Sequence, residues 1–360
     1  MTKILALYLP QFHQIKENDE WWGEGYTEWN VIKASKKLSK WSNYPRSPKD
    51  DYYYDLSKYV DIKHQVELAN QYGVDGFILY SYYSLGNLLL EKPAEIIHEN
   101  SNLNINYCFS WANHDWMRTW FSYNKEMLRK QEYAESYQDI INQFNYYLPF
   151  FKDSRYIKNV NKPVFFIYDY NSIPNFLEFK KIWNKMAIEN GFDGIFFVQT
   201  LGGKNLVWDT NYLDACFDFE PTYTTFKYMK SSHKFNRFKR GIKKIFKHKR
   251  VVNYFNYNKV SNIMIKREEN DKNHYLGSFA EWDNTPRHSH NGTIFKNFSL
   301  EKFEEQLDNQ FAKSIKYGKD FLIIDAWNEW GEGAFLEPDN VYQNKKLEII
   351  KKIKDKYEGE

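Results

Sequence analysis

An α/β fold, specifically an eight-stranded (β/α)8 TIM barrel, is expected of this chain on three grounds. Eight short runs rich in Ile, Val, Phe and Tyr recur along its 360 residues. Segments with helical spacing separate most of them. Polar and aromatic residues gather at the C-terminal ends of the runs, where barrel enzymes keep their chemistry.

The runs lie at 4–10, 74–83, 105–113, 163–169, 194–200, 214–221, 273–284 and 321–330. Their length and their β-branched and aromatic content favour strand over helix. Helical spacing is found at 58–72, 88–100, 134–152, 174–190, 299–317 and 341–357. A doubly wound open sheet is the alternative. It calls for a glycine-rich phosphate turn after an early strand, and none is present. No linker or internal repeat divides the chain, so residues 1–360 read as one catalytic domain.

Strand ends supply the candidate substrate-binding residues Tyr8, His13, Tyr80, Trp111, Asn113, His114, Tyr168, Glu220, Trp282 and Asp283. The opposite ends, such as Gly73-Val74-Asp75-Gly76, carry turn residues instead. Asp169, Glu220 and Asp283 could bind substrate hydroxyls or simply hold loops, and His13 could bind substrate or tie the first loop to the barrel.

Two stretches interrupt the rhythm. Residues 11–57 form a long loop carrying Trp21, Trp22, Trp29 and Trp41, expected to be a lid, a wall of the substrate site or packing for the barrel rim. Residues 222–267 form a basic insertion after the sixth strand. No acidic residue occurs from Pro221 to Arg267, and 11 Lys or Arg fall between Lys227 and Arg250. Phe235, Phe238, Ile242, Ile245 and Phe246 recur there at roughly helical spacing. Such a segment fits peripheral contact with an anionic membrane through 227–250, or a solvated basic face. Nucleic acid is not expected, since no motif for it accompanies the patch.

Composition sets further bounds. Aromatics make up 19% of the chain, with 12 Trp and 29 Tyr, more than a core needs. Cleft lining and coding bias are both possible sources of that excess. Cys108 and Cys216 lie in apolar runs without metal-ligand spacing and read as reduced core thiols. The first apolar run is stopped by Pro10, too early for a secretory h-region, and no stretch approaches transmembrane length. A cytoplasmic protein follows, with a peripheral position at the inner membrane face open to it. The pair His288 and His290 lacks further ligands at metal spacing, so neither metal nor cofactor is expected.

The most informative segment is Asp325-Ala326-Trp327-Asn328-Glu329-Trp330-Gly331-Glu332. Two glutamates three positions apart follow a buried run, bracketed by indoles and glycines. Carboxylates do acid/base work on acetals, and indole faces stack on sugar rings. Both acids can face one site only if the chain turns between them, which Gly331 and Gly333 permit. Trp327, Asn328 and Trp330 join the candidate substrate-binding set with Trp22.

Several motifs resemble the WbsX-like family of polysaccharide-biosynthesis proteins and glycosyltransferases. They are Gln11-Phe12-His13, Asn18-Asp19-Glu20-Trp21-Trp22-Gly23, Tyr26-Thr27-Glu28-Trp29, Tyr72-Gly73-Val74-Asp75-Gly76-Phe77, Ser110-Trp111-Ala112-Asn113, Lys162-Pro163-Val164, Trp282-Asp283-Asn284-Thr285-Pro286-Arg287 and residues 327–333. They span about residue 4 to 338 in order. The family is similar in turn to family 99 glycoside hydrolases, retaining (β/α)8 enzymes acting on α-mannosides. That resemblance implies Glu329 as base on a sugar 2-hydroxyl, giving a 1,2-anhydro sugar, and Glu332 as leaving-group acid. Relatives commonly carry Trp-Ala-Asn-Glu-Asn-Trp where this chain has Trp111-Ala112-Asn113-His114-Asp115-Trp116. His114 or Asp115 would then replace a hydroxyl-binding glutamate, which leaves the sugar preference open.

Three functions are expected to compete. The first is a retaining glycoside hydrolase or transglycosylase in cell-surface polysaccharide metabolism. The second is a glycosyltransferase of O-antigen or capsule assembly acting on a glycan or lipid-linked glycan. The third is a non-catalytic glycan-binding protein.

Overall fold

In the computed structural model, residues 2–118, 126–247 and 252–358 are described. The predicted runs become β1 (Lys3–Tyr8), β2 (Gly76–Ser84), β3 (Asn106–Trp111), β4 (Lys162–Ile167), β5 (Phe196–Leu201), β6 (Ala215–Asp218), β7 (His274–Phe279) and β8 (Phe321–Asp325). Each strand pairs in parallel with the next, and β8 returns to β1 in the register Lys3↔Phe321. The sheet is therefore a closed parallel barrel with no free edge.

Closure explains the composition of the strands. A barrel strand is covered inside by its opposite numbers and outside by helices, so both faces select apolar residues. Ile4, Leu5, Ala6, Leu7 and Tyr8 of β1 are all buried. Cys108 and Cys216 lie in the same packing as free, buried thiols.

The outer layer follows the helical spacing: α1 (Tyr59–Gln71), α2 (Lys92–Glu99), α3 (Tyr137–Lys152) and α4 (Phe176–Glu189) cover the first half. Ser136 opens α3 with a capping box, its hydroxyl accepting from the Asp139 N–H while Asp139 accepts from the Ser136 N–H. No helix forms between β5 and β6. Gln199 braces that connection instead, its amide oxygen accepting from the Asp209 N–H at 2.9 Å and its NH2 donating to the Val207 carbonyl at 3.1 Å.

The insertion after β6 separates into two parts. Helices α5 (Thr222–Tyr228) and α6 (Lys230–Lys247) form a basic arm, and a short strand, Asn253–Asn256, leads into α7 (Tyr257–Lys266). Helix α7 belongs to the outer layer: Tyr257, Val260 and Met264 are buried, and Ser261 accepts from Gln306 of α8 (Leu300–Lys316) at 3.3 Å. Residues 248–250, the end of the basic run, lie outside the described residues. The chain finishes in α9 (Lys345–Glu358). Among the described residues, no helix is long and apolar enough to cross a membrane.

The long first loop is stapled to the barrel mouth. Arg46 pairs with Glu281 and Asp339, each at 3.0 Å, and Lys346 reaches the same two carboxylates at 3.5 and 3.3 Å. All four side chains are nearly inaccessible to water. Two cations against two anions in a dry site tolerate no loss of a partner. A loop held this way is a fixed wall, and the short helices Lys16–Trp22 and Glu28–Lys33 give it shape.

Candidate active site

A cavity of about 500 Å³ opens at the C-terminal ends of the strands. The turn after β8 brings the two glutamates of the 325–332 segment to its wall. A short strand, Asn328–Glu329, runs into a single 3-10 turn over Trp330–Glu332, which replaces strand alternation and lets both acids face one space. Gly333 ends the turn with φ +64°, a conformation that suits glycine.

Gly331 serves a different purpose from the turning role expected of it. A Cβ there would lie 1.9 Å from Glu28 Oε1 and 2.5 Å from Arg287 Nε. The residue is glycine because an ion pair packs against its Cα. Gly331→Ala is expected to force Arg287 and Glu28 apart at a cost of about 1–3 kcal/mol, read as a lower urea midpoint in equilibrium unfolding. An unchanged midpoint would contradict the close approach.

Arg287 is the centre of the site. Its Nε donates to Glu28 Oε1 at 2.7 Å and its Nη1 to Glu332 Oε1 at 2.9 Å, while Nη2 lies 3.0 Å from Glu329 Oε2. One guanidinium thus meets three carboxylates, a geometry that suits its planar fork. The environments of the acids differ: the Glu329 side chain is 11% exposed and that of Glu332 is 23% exposed. Burial pushes the Glu329 carboxyl up to about 8, against the pull of Arg287 and helped by the charges of Glu332 and Glu28. Asp325, beneath them, is pushed far above the carboxylate range by burial and then by Glu329 and Glu332. Its Oδ2 is buried without a hydrogen-bond partner.

Seven of the expected site residues line this cavity: Trp22, Tyr80, His114, Tyr168, Trp282, Glu329 and Glu332. His114 faces Tyr168 with ring centroids 5.3 Å apart, and surrounding protein lowers its imidazole pKa. Asp115 also reaches the cavity, and its Oδ1 accepts from the Gln131 N–H at 2.8 Å. The first loop contributes Trp22, Gln11 and Asn18, so it is a wall of the site.

The other expected residues stand behind the cavity. Tyr8 donates to Gln65 within the core, and His13 is buried and shifted toward neutrality by burial. Trp111 donates to the Tyr83 carbonyl at 2.8 Å, and Asn113 bridges the Asp169 backbone and Tyr133. The Glu220 carboxylate is taken by Thr224 and Arg267. Asp283 accepts from Asn43 and Ser42 on one oxygen and from Thr285 on the other, holding the first loop. Trp327 packs on Phe77 at 5.1 Å. Asn328 bonds both the N–H and the carbonyl of Leu9. Trp330 stacks on Phe335 at 3.8 Å and donates to Glu337 at 2.6 Å, facing a separate cavity of about 390 Å³. These polar groups support the wall and leave its surface to others.

Arg287, Glu28 and Asp325 were not among the expected site residues, whereas Tyr82, which also lines the cavity, was expected at its strand end beside Tyr80. Arg287 and Glu28 sit inside the quoted motifs, and an arginine and a glutamate in motifs otherwise made of aromatics and turn residues was the signal that could have found them. Tyr82 shares the strand-end position of Tyr80, accepts from Gln11 at 3.4 Å and packs edge-on against Trp116.

Comparisons with known proteins agree with this architecture. The family model described as glycosyltransferase WbsX matches residues 4–350. Two proteins from strains of Xanthomonas campestris pv. campestris, each named "Uncharacterized protein WxcX", are 28% identical over 345 residues. The match covers 93% of this chain and 47% of theirs, so the chain spans about half the length of these curated relatives. Among solved structures, the GH99 endo-alpha-mannosidase from Bacteroides thetaiotaomicron superposes with TM-score 0.58 at 12% identity, covering 99% of this chain and 97% of that one. A glycoside hydrolase-like protein superposes with TM-score 0.57 at 12% identity, covering 98% and 93%. Likeness at that identity speaks for a shared barrel alone. With nearly its whole length matched by the family model, the chain belongs to the glycosyltransferase WbsX family.

Proposed function

We propose that the chain is a carbohydrate-active enzyme that remakes or cleaves glycosidic bonds, with Glu329 and Glu332 dividing the proton transfers. The observation that carries this reading is one guanidinium shared by two carboxylates of unequal burial in an aromatic-walled cavity. Unequal environments are what acid/base division of labour requires. Tyr80, Tyr168 and Trp282 offer ring faces and edges to a sugar.

In the favoured reaction, Glu329 takes the proton of the sugar 2-hydroxyl as that oxygen bonds to the anomeric carbon. The glycosidic oxygen departs with the proton of Glu332, leaving a 1,2-anhydro sugar. Water or a sugar hydroxyl then attacks the anomeric carbon, giving its proton to Glu332. The 2-oxygen regains its proton from Glu329. Two inversions at one carbon leave the configuration retained.

The raised Glu329 pKa makes a testable pH dependence. At neutral pH the free enzyme holds Glu329 mostly protonated, and the basic form grows in as pH rises through about 8. The 2-hydroxyl base role therefore requires kcat/KM to climb up to about pH 8. The opposite assignment, Glu329 as acid, requires kcat/KM to fall above it. A profile that only falls through that range would overturn the assignment of Glu329 as base and Glu332 as acid.

Glycosyl transfer is the second reading, favoured by the description of the family. The same two acids serve it, with a sugar hydroxyl in place of water. Sugar-nucleotide consumption that depends on a glycan acceptor would support it, and absence of any sugar-nucleotide binding would count against it.

A further inference from the structure

We infer that α6 docks the chain onto an anionic lipid surface, with its apolar stripe turned toward the bilayer. A surface helix of a globular protein normally turns its apolar face to the core; the first turns of α6 point two phenylalanines the other way. His233 packs on Phe226 and Phe255, with ring centroids at 4.3 and 5.0 Å, and the Asn236 side chain donates to the Tyr254 carbonyl at 3.3 Å. Those two positions, three apart, mark the face that meets the body of the protein. At about 100° per residue, Phe235 and Phe238 stand well over 90° around the helix from that face. They are 56% and 65% exposed. The sequence continues the same period through Ile242, Ile245 and Phe246, whose side chains lie outside those described.

Charge selects the partner. Lys230 and Lys234 are exposed at the start of the helix. The stretch from Lys227 to Arg250 holds 11 of the chain's 50 Lys and Arg with no acid among them, so the remainder of the chain is net acidic. Outward phenylalanines beside exposed lysines, in a run of sequence rich in Lys and Arg and free of acids, match the layered chemistry of an anionic bilayer, with acyl chains beneath phosphates. A purely anionic polymer would use the charges and leave the phenylalanines in water. Long basic side chains can also keep their heads among phosphates while their stems follow the apolar stripe inward.

The arm leaves the barrel at the end that holds the cavity. Thr222, the first residue of α5, and Phe219 before it both line the cavity. Strand Asn253–Asn256, which α6 packs against, pairs with Thr293–Lys296, and the Phe295 N–H bonds the carbonyl of the cavity residue Trp282 at 2.9 Å. A bilayer held by α6 is thereby coupled to the mouth through two short connections. A substrate anchored in that bilayer, such as a lipid-linked glycan, would be presented at the same end.

The test is co-sedimentation of the full chain with phosphatidylcholine vesicles, with and without phosphatidylglycerol. Pelleting is expected only with the anionic vesicles and is expected to weaken as salt rises. The double variant Phe235→Ser, Phe238→Ser should reduce vesicle binding about tenfold or more, while leaving binding to a heparin column within about twofold. Circular dichroism of the variant should match the parent, since neither side chain is packed in the core. No pelleting with anionic vesicles would overturn the inference. So would a double variant that pellets as well as the parent, because the patch would then be a simple polyanion site. Vesicle binding is read without any glycan, so this inference and the glycosidic reading can fail separately.

Discussion

Arg287→Met is expected to lower stability by about 3–5 kcal/mol and to move the rising limb of the pH profile to higher pH. The methionine roughly fills the volume but removes the cation that meets Glu28, Glu329 and Glu332 at 2.7–3.0 Å. Glu28 suffers most, since its side chain is fully inaccessible and burial already raises its pKa against the pull of Arg287. For a chain of this size the loss corresponds to roughly 4–7 °C in Tm. Arg287 also opposes the rise of the Glu329 pKa, so its removal lets that carboxyl climb further. Glu329 then holds its proton over a wider range, and base activity is deferred to higher pH. Differential scanning calorimetry and a kcat/KM profile measure the two effects. Arg287→Lys should fall between, because it restores the charge without the planar fork. A methionine variant with parental Tm and an unmoved profile would remove Arg287 from the centre of the site.

Glu332→Gln is expected to cut kcat/KM on unactivated glycosides by about 10²–10⁴-fold, the usual worth of a positioned general acid. The amide keeps the shape and can still offer an oxygen to Arg287 Nη1, so ligand affinity should stay within a few-fold of the parent. Substrates whose leaving groups depart without protonation should lose far less in the first step. Calorimetric titration with a product sugar and kinetics on the two substrate classes separate these outcomes. Full turnover of unactivated glycosides by the variant would show that the acid lies elsewhere. Loss of binding with no selective loss of turnover would favour a glycan-binding role for the pair.

Much of the barrel was legible because its signals are local. A buried strand needs a run of apolar residues, and an outer helix needs apolar spacing near 3.6, so β1 through β8 and most covering helices announce themselves in short windows. The connection from β5 to β6 fits the same logic, since it lacks that spacing and forms no helix. The 328–333 motif marked a strand end that lines the cavity. Reading the aromatics was less sound. Trp327 and Trp330 bracket Glu329 in sequence, yet one packs on Phe77 and the other stacks on Phe335. Tyr8, Trp111 and Asn113 also sit at strand ends and face away from the cavity. A strand end places a residue at the mouth but does not say which way its side chain points.

By itself, then, the sequence determined the barrel and the order of its strands, and it named Glu329 and Glu332, which the fold brings to one cavity. It also marked the basic arm. Only the tertiary structure decided that Arg287 joins those acids to Glu28, a residue 259 positions away from it. It likewise decided that Gly331 is small because that ion pair crosses it, and that Phe235 and Phe238 look outward. The reason is physical. Strands and helices are stabilised by periodic patterns that neighbouring residues carry, whereas an ion-pair hub depends on closing the sheet so that β1 meets β8. That closure brings the first loop over the last turn, and no window of sequence contains both.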